Sequence, residues 1–555
     1  MMGNSGTVKA QMINAGRYII STLEANGVTR VFSVPGESTL PVFDALRDSP
    51  IDLVTCHHES AAGLMALADA RLTGGVGICI VSRGPGATNA AIALHCADED
   101  ATPLILLVGQ VPKNQLRRGA GQEIDYSRMF GGTAKWVAEV SEPDRLPDVM
   151  ARAFQLAVSG RPGPVVIALA EDMLDGSLDA ATVRPVQYPS CEPGSASVSQ
   201  VADLLRQAKR PLLIAGGKLA TARGRKALMA AARAWDVPVA VSWRRQDLLP
   251  NSDRLYAGHS SVMTPPAMSQ AHLESDLLIA VGTRLTDYTT RHYTIPAGPW
   301  PKQTLVHVYD DPEVLGWNYR PDVAIAADPT LFLEQLSSTN PDASTSRERD
   351  DWIDRLHGVD AKLGQWKPAS ANDGIVFGNF VAGLASRIER DAVVTLDAGM
   401  CSAMFYRYFR VEPPQELVAS LAAIMGWSVP AGVAAAMRYP GRQVISIAGD
   451  GGFLMTGNEL ALAAERQLRL LVVVANNRSL GSIRRKQEED FPGRPSGTDL
   501  STPDFVTFAK AFGCAGFSAS NDDELWDVFD RAAAIKGPVL LELKTSLSAM
   551  LPAAK

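Results

Sequence analysis

Ile447 to Leu460 reads IAGDGGFLMTGNEL and places one acidic residue, Asp450, between glycines directly after an apolar run. A strand-to-helix turn uses glycine for its backbone but has no need of a charge. The next apolar run, Leu470 to Ala475, ends in Asn476-Asn477-Arg478-Ser479, so amide oxygens follow one candidate strand and a carboxylate follows its neighbour. A βαβ crossover would bring Asp450 and Asn477 to the same edge of a parallel sheet, where such sheets open their crevice. Those oxygens suit a hard cation. Mg²⁺ takes about six oxygen ligands and commonly shares them among one or two carboxylates and bound phosphates. Gly451 and Gly452 would let backbone N–H groups come close to such phosphates. Gly-Asp-Gly by itself reads as an ordinary turn, and the asparagines after the next strand shift the reading toward metal and phosphate.

The elements that must position these groups alternate between apolar strands and helices. Asn14 to Asn26 has a helical apolar face with Gly27 as its stop, and Val28 to Val34 reads as a strand. Strands follow at Asp52 to Cys56, Gly77 to Ser82, Pro103 to Gly109 and Val165 to Leu169, with an alanine-rich helix at Ser60 to Leu72 and another expected after Gly84-Pro-Gly-Ala-Thr-Asn89. A Pro/Gly/Ser-rich linker is placed at Tyr188 to Ser199. A second unit has strands at Pro211 to Ala215, Pro238 to Ser242, Asp276 to Val281 and Thr304 to Val308, and a polar stretch from Ser337 to Arg349 closes it. A third has strands at Ala392 to Leu396, Gln443 to Ala448, Leu470 to Ala475 and Val539 to Leu543, with a helix beginning near Thr456. Near-continuously apolar strands separated by helices predict mostly parallel sheets flanked by helices, in three α/β domains: residues 1–185, 195–340 and 365–550. The first and third units look alike in texture.

Composition narrows the classes. The 555 residues are 46% hydrophobic and 20% charged, which supports large buried cores rather than disorder. A formal charge of -7 gives no basic face for nucleic acid. The six cysteines contain no CxxC pair, so neither a disulfide framework nor a thiolate zinc site is expected. With no secretion-signal pattern and no apolar run of about 18 residues, a soluble cytoplasmic protein is expected.

GDGG at Gly449 to Gly452 and NN at Asn476-Asn477 resemble the two ends of the thiamine-diphosphate and magnesium motif. VPGESTLPVFDAL at Val34 to Leu46, HHESAAG at His57 to Gly63, SRGPGATN at Ser82 to Asn89, PLILLVGQVP at Pro103 to Pro112 and RPGPVVIAL at Arg161 to Leu169 fall in family order. The chain thus resembles the family of acetohydroxyacid (acetolactate) synthase, benzaldehyde lyase and related 2-oxo acid decarboxylases over nearly its whole length. The resemblance implies an N-terminal pyrimidine-binding domain, a central domain with a candidate nucleotide site and a C-terminal domain that binds diphosphate and Mg²⁺. It implies that Asp450, Asn477 and the backbone carbonyl of Ser479 hold the metal, and that Gly399, Met400, Gly451 and Gly452 line the phosphate and pyrimidine side. Glu59 would be the carboxylate that activates the cofactor through the pyrimidine ring. Met425 would support the bend of the cofactor, and the carbonyl of Ala423 would orient its exocyclic amine. Gln122, Gln110 and His58 match positions near the reacting carbonyl, and Lys135 one near a second substrate. A homodimer or homotetramer with active sites between subunits is implied as well.

Departures from the family pattern concern the acceptor side. After Asn476-Asn477 the chain reads RSLGSIRRKQEED, with Lys486 where acetohydroxyacid synthases carry a tryptophan. Gly121 replaces a phenylalanine beside the family glutamine, Glu37 a glycine, and Met400-Cys401 a Gln-His pair. Arg484, Arg485 and Lys486 could recognise a carboxylate or phosphate on a larger substrate, and they equally fit a solvated charge run. In the central unit, Gly216-Gly217-Lys218, Gly282-Thr-Arg284 and Asp310-Asp311-Pro312 follow strands as in domains that bind FAD, ADP or no nucleotide, while Ala257-Gly258-His259-Ser260 departs from the flavin pattern. The reading is a thiamine-diphosphate-dependent carboligase or C–C lyase acting on a 2-oxo acid or hydroxyketone, acetolactate-synthase-like. A non-carboligating decarboxylase and a noncatalytic cofactor-binding homologue are the alternatives.

Overall fold

Three six-stranded sheets, parallel throughout, organise the protein, whose computed structural model describes residues 11–339 and 347–549. Two compact units divide the chain after Tyr188. The first holds one sheet, built from β1 (Arg30–Val34), β2 (Asp52–Thr55), β3 (Gly77–Val81), β4 (Leu104–Gln110), β5 (Trp136–Val140) and β6 (Pro164–Ala170), in spatial order β2-β1-β3-β4-β6-β5. A short antiparallel pair, Met12–Asn14 with Ser177–Asp179, lies apart from it. Every residue of β3, β4 and β6 is buried, as expected of strands covered on both faces. The first helix, Ala15–Ala25, is capped by the Asn14 side chain, and Gly27 follows at φ +74°, the left-handed conformation that ends helices.

The second unit holds two sheets. The central one comprises β7 (Pro211–Ala215), β8 (Val239–Val241), β9 (Tyr256–His259), β10 (Leu277–Val281), β11 (Thr304–Tyr309) and β12 (Val323–Ala326) in order β9-β8-β7-β10-β11-β12. Relative to its own first strand this is the 3-2-1-4-5-6 order of doubly wound nucleotide-binding sheets. The C-terminal sheet comprises β13 (Val393–Leu396), β14 (Glu416–Val418), β15 (Val444–Gly449), β16 (Leu470–Asn476), β17 (Ala515–Ala519) and β18 (Val539–Lys544) in order β14-β13-β15-β16-β18-β17. That repeats the strand order of the first unit, so the likeness in texture between these two segments is a likeness in topology.

The three-domain α/β expectation holds, and several local expectations change. The helix expected after Asn89, α2, spans Gly84–Asp100, because Pro85 in its first turn has no N–H to satisfy and the Gly84 N–H donates to the Gln122 carbonyl at 3.0 Å. It follows α1 (Glu59–Thr73) in the chain. The helix expected near Thr456 instead ends there: α4 spans Asp450–Thr456, with an acidic residue in its first turn, where carboxylates are favoured. A helix at Ser195–Gln207 takes the end of the expected linker. In the polar stretch at Ser337 to Arg349, residues 340–346 lie outside the described residues, and helices Pro329–Ser338 and Arg347–Leu363 flank them. Strands β5, β9, β12, β14 and β17 were not anticipated. All five are edge strands, and β12 alternates buried and exposed. Two further helices matter below, α3 (Met400–Tyr408) and α5 (Gly481–Asp490). Among the described residues no helix is long and apolar enough to cross a membrane.

Gly216, at the end of β7, is fixed by packing. A Cβ there would lie 2.1 Å from the Gly282 carbonyl oxygen and 2.4 Å from the Thr283 nitrogen, both backbone atoms of the loop after β10. Gly216→Ala is therefore expected to cost about 1–3 kcal/mol as overpacking, whereas Gly132→Ala, which meets nothing within 4 Å, should be neutral. Thermal unfolding of the two variants checks this, and equal melting temperatures would contradict it.

Candidate active site

In the first unit the predicted residues gather at the carboxyl edge of the sheet. Glu59 opens α1 just beyond β2, half-buried, and its Oε2 accepts a 2.9 Å hydrogen bond from Asn89 Nδ2 of α2. Its other oxygen, Oε1, lies 3.4 Å from where a Cβ of Gly86 would stand, so SRGPGATN supplies a donor to the carboxylate through Asn89 and packs Gly86 beside it. His58 caps α1 through Nδ1, which accepts from the Ser60 N–H at 3.1 Å. Gln122 is exposed at φ +66°, an uncommon conformation for a residue with a side chain, and its carbonyl anchors Gly84 at the start of α2. Gln110 is fully buried. Its Nε2 donates to the Ile124 carbonyl and to Glu139 Oε2, both at 3.0 Å, while Oε1 accepts from the Val111 N–H. This amide braces the loop that carries Gln122 and has no group left over. The Lys135 ammonium likewise binds the carbonyls of Leu156 and Ser159 at the end of helix Leu146–Val158.

In the second unit, β15 and β16 pair in parallel with Gly449 opposite Ala475, which sets Asp450 beside the Asn476–Ser479 loop. Asp450 is 3% exposed. Its Oδ1 accepts from the Gly451 N–H at 2.9 Å, and the backbone N–H groups of Arg478 and Ser479 also face the carboxylate. Oδ2 is buried without any hydrogen-bond partner. Burial raises the Asp450 pKa above the usual carboxylate value, against the opposing pull of those N–H groups. Asn477 Oδ1 accepts from the Ser479 N–H at 3.0 Å, and the Ser479 carbonyl accepts from Gly481 at 2.8 Å. Met425 Cε lies 3.2 Å from where a Cβ of Gly451 would stand, so the thioether reaches the Asp450 turn. Ala423 sits at φ +53°, and Gly399, at φ +119°, caps the half-buried Met400 at the start of α3. Asp450, Gly451, Gly452, Met425, Asn477 and Ser479 form one cluster, with Gly399 and Met400 on the neighbouring strand end.

Three family profiles match in chain order. The thiamine pyrophosphate enzyme N-terminal TPP binding domain covers residues 13–129, the central domain residues 198–336, and the C-terminal TPP binding domain residues 397–543. Relatives align along nearly the whole chain. The probable acetolactate synthase large subunit of Methanocaldococcus jannaschii is 30% identical, over 96% of this chain and 92% of that protein. The acetolactate synthase of Mycobacterium bovis is 32% identical, over 96% and 88%. The chain belongs to the thiamine pyrophosphate enzyme family. Acetolactate synthase isozyme 2 large subunit of Escherichia coli, 30% identical over 96% of this chain and 95% of its own length, is a further relative. Membership makes the protein an enzyme that uses thiamine diphosphate.

The residues of this family member fit that cofactor and its cation. Asp450 offers a buried oxygen that nothing in the protein satisfies, beside the amide and carbonyl oxygens of the Asn477 loop. The donor set is all oxygen with one carboxylate, and among the described residues no cluster of three or more His, Cys, Asp or Glu makes a metal cage. That is a set for a cation that shares its ligands with a phosphate. FAD finds a different situation in the central sheet. Lys218 and Asp310 pair at 2.6 Å across the ends of β7 and β11, the Arg245 guanidinium lies over Gly217, and Gly216 answers to backbone packing. Asp310 Oδ1 and both polar atoms of the Gln246 amide are buried there without a hydrogen-bond partner.

Two positioning groups escaped the sequence reading. Asp397 ends β13 with no exposure, and its carboxylate accepts from the Ser428 N–H at 2.6 Å and the Gly426 N–H at 3.0 Å. It thereby fixes the turn just after Met425. A Cβ on Gly452 would lie 2.1 Å from Asp397 Oδ2, so GDGG also makes room for this carboxylate. From the central domain, Arg244, 2% exposed at φ +58°, donates to the Ser420 carbonyl, and Trp243 Nε1 donates to Leu421 at 3.3 Å. An acidic residue at a strand end was the available signal for Asp397, whereas nothing in the sequence points Arg244 at residue 420.

Burial raises the Asp397 pKa from 3.8 to about 6, opposed by the N–H donors of Ser428, Gly426 and Trp427 and by Arg244. An acid whose folded pKa is raised binds its proton more tightly in the native state, so its contribution to stability falls as pH rises from about 4 to about 6. Asp397→Asn would set an NH₂ against a backbone N–H and is expected to cost about 1–3 kcal/mol. The melting-temperature gap between this variant and the wild type should be wider at pH 4.5 than at pH 7, and a gap that widens with pH would reverse the assignment.

Proposed function

We propose that the protein is a thiamine-diphosphate- and Mg²⁺-dependent carboligase or C–C lyase that acts on a 2-oxo acid or hydroxyketone, in the manner of the acetolactate synthases it resembles. The observation that carries the reading is the buried, partnerless oxygen of Asp450 beside the Asn477 loop. Asp450, Asn477 and the Ser479 carbonyl would hold Mg²⁺, while the backbone around Gly451 and Gly452 and the strand end at Gly399-Met400 would receive the diphosphate and pyrimidine side. When bound, thiamine diphosphate supplies the electron sink for making and breaking a bond to a carbonyl carbon.

The chain's own groups bind, orient and move protons. Asn89 holds one oxygen of Glu59, and the other would exchange a proton with the pyrimidine ring nitrogen of the cofactor. Met425, against Gly451, would give the cofactor an apolar support that a flexible thioether can fit. The carbonyl of Ala423, in a turn at φ +53°, would orient the cofactor's exocyclic amine. His58 stands at the α1 cap next to Glu59 in the chain, Gln122 lies on the loop anchored to Gly84, and Gln110 holds that loop. The full-length match to relatives named acetolactate synthases supports carboligation as the second half of the reaction, and a homodimer or homotetramer is the proposed assembly.

The test is a mass-spectrometric product survey with the full chain, thiamine diphosphate, Mg²⁺ and a panel of 2-oxo acids, with and without aldehyde acceptors. Hydroxyketone products are expected, lost by about 10²–10⁴-fold in Glu59→Gln. Release of carbon dioxide and aldehyde alone would replace the carboligase with a decarboxylase. Asp450→Asn is expected to raise the Mg²⁺ concentration for half-maximal activity at least about tenfold, by loss of a charge-assisted ligand. An unchanged Mg²⁺ requirement would remove Asp450 from the metal site.

A further inference from the structure

The basic triplet Arg484-Arg485-Lys486 on α5 is divided by the fold. Arg484 pairs with Asp499 at 2.5 Å, and Lys486, well exposed, pairs with Asp490 at 2.7 Å, so both are local surface ion pairs. Arg485 turns inward and lines a cavity of about 200 Å³ between α3 and the loops after β9 and β10. Arg291 and Arg407 line the same cavity, together with His259, Met263 and Thr264. Three guanidiniums from three separate elements therefore line one partly open cavity whose lining contains no Asp or Glu.

Arg291 and Arg407 have no opposite charge against them among the described residues. Arg407 keeps its Nε buried with no hydrogen-bond partner, and its guanidinium lies 5.4 Å from the Tyr408 ring centre. The best contact of Arg291 is a long 3.4 Å approach to Ser269 Oγ. Among the described residues neither forms an ion pair, and Arg485 shares one carboxylate, Glu489, at 2.8 Å. The acid on the smaller adjoining cavity, Asp360, is already held by Arg410. Burial, the neighbouring His272 and then Arg410 and Arg407 press the His259 pKa down to about 4, so it adds a neutral polar wall at pH 7. Arg291, His292 and Tyr293 run through three successive left-handed conformations, φ +49°, +56° and +60°, a costly backbone that places Arg291 at the rim.

We propose that this cavity binds the terminal oxyanion, a carboxylate or phosphoryl group, of a substrate that carries a second anionic group remote from its reacting carbonyl. Planar guanidiniums match such oxyanions with paired N–H donors. The position suits a substrate tail: Arg407 lies on α3, seven residues and roughly 10 Å beyond Met400, at 1.5 Å rise per residue, and α5 begins just past the Asn477 loop. The assignment of the anion to a substrate rests on the proposed function, whereas the oxyanion site itself does not.

Calorimetric titration of the full chain with glutarate and with inorganic phosphate separates the two. One dianion per chain is expected to bind, at least tenfold more weakly in Arg407→Met and in Arg291→Met, with partial recovery in Arg407→Lys. Tighter glutarate binding assigns a carboxylate, and tighter phosphate binding a phosphoryl group. Binding of neither, or binding indifferent to both methionine variants, overturns the site; the variant on the loop after β10 decides the matter if the helix variant does not fold. In turnover with added cofactors, the ratio of kcat/KM for 2-oxoglutarate to that for pyruvate should fall at least tenfold in Arg291→Met. An unchanged ratio alongside Arg-dependent glutarate binding would keep the site and detach it from the substrate. A protein that turns over no 2-oxo acid yet binds the dianion through Arg407 would overturn the proposed function alone.

Discussion

A carboxylate buried with one oxygen unsatisfied is the constraint on which the C-terminal domain turns. Removing a charged group from water costs several kcal/mol unless partners replace the lost hydration. Asp450 Oδ1 accepts the Gly451 N–H, whereas Oδ2 is left buried with no partner in the protein, as a ligand for the proposed cation would be. The register of β15 on β16 brings the Asn477 loop alongside, and Gly451 admits the Met425 thioether. Asp397, a second buried carboxylate one strand away, is the opposite case: both of its oxygens are spent on the turn after Met425. One acid holds the frame, and the other is left to bind.

The repetition of one strand order in the first unit and the C-terminal sheet explains why both carry their functional groups at carboxyl edges. A parallel sheet directs every loop of one kind to the same edge, so Glu59, Asn89 and Gln122 gather there as Asp450 and Asn477 do in the other. The central sheet has a different order and a different task. Through Trp243 and Arg244 it grips Ser420 and Leu421, just before the strained Ala423 and the Met425 support. Arg244 is itself buried, near the rings of Trp243 and Tyr406, with its guanidinium carbon 4.9 Å and 5.6 Å from their centres. A desolvated cation is costly to move, which makes it a stiff brace for the Ser420–Leu421 turn that leads to Ala423 and Met425.

The sequence made the interior strands legible because they are buried on both faces and read as unbroken apolar runs. The short outer strands did not declare themselves. Half-exposed β12 and three-residue β14 lack the run length that separates strand from loop. Helix starts at Gly84 and Asp450 were misplaced because glycines read as turn residues. In the fold those glycines open helices, where a proline without an N–H and a first-turn carboxylate favour the start. Glu59, Asp450 and Asn477 could be found because acid and amide at strand ends leave a pattern at fixed spacing. Arg244 and Arg407 left none, since each acts across a long sequence separation and looks like any other arginine.

The charge run on α5 shows how far spacing carries an argument and where three dimensions take over. Consecutive helical residues are turned about 100° from one another, so three adjacent cations cannot share a target. All three pair with exposed carboxylates, contacts worth little to stability. Arg485 alone also lines a space that other arginines occupy, and gathering like charges there is unfavourable unless an anion joins them. Surface charges of this kind are cheap to change, whereas a cavity-lining set drawn from three elements survives only where the fold over-determines it. Read as a block, the triplet equally fits a solvated face or a recognition site; resolved residue by residue, Arg484 and Lys486 belong to the first and Arg485 to the second.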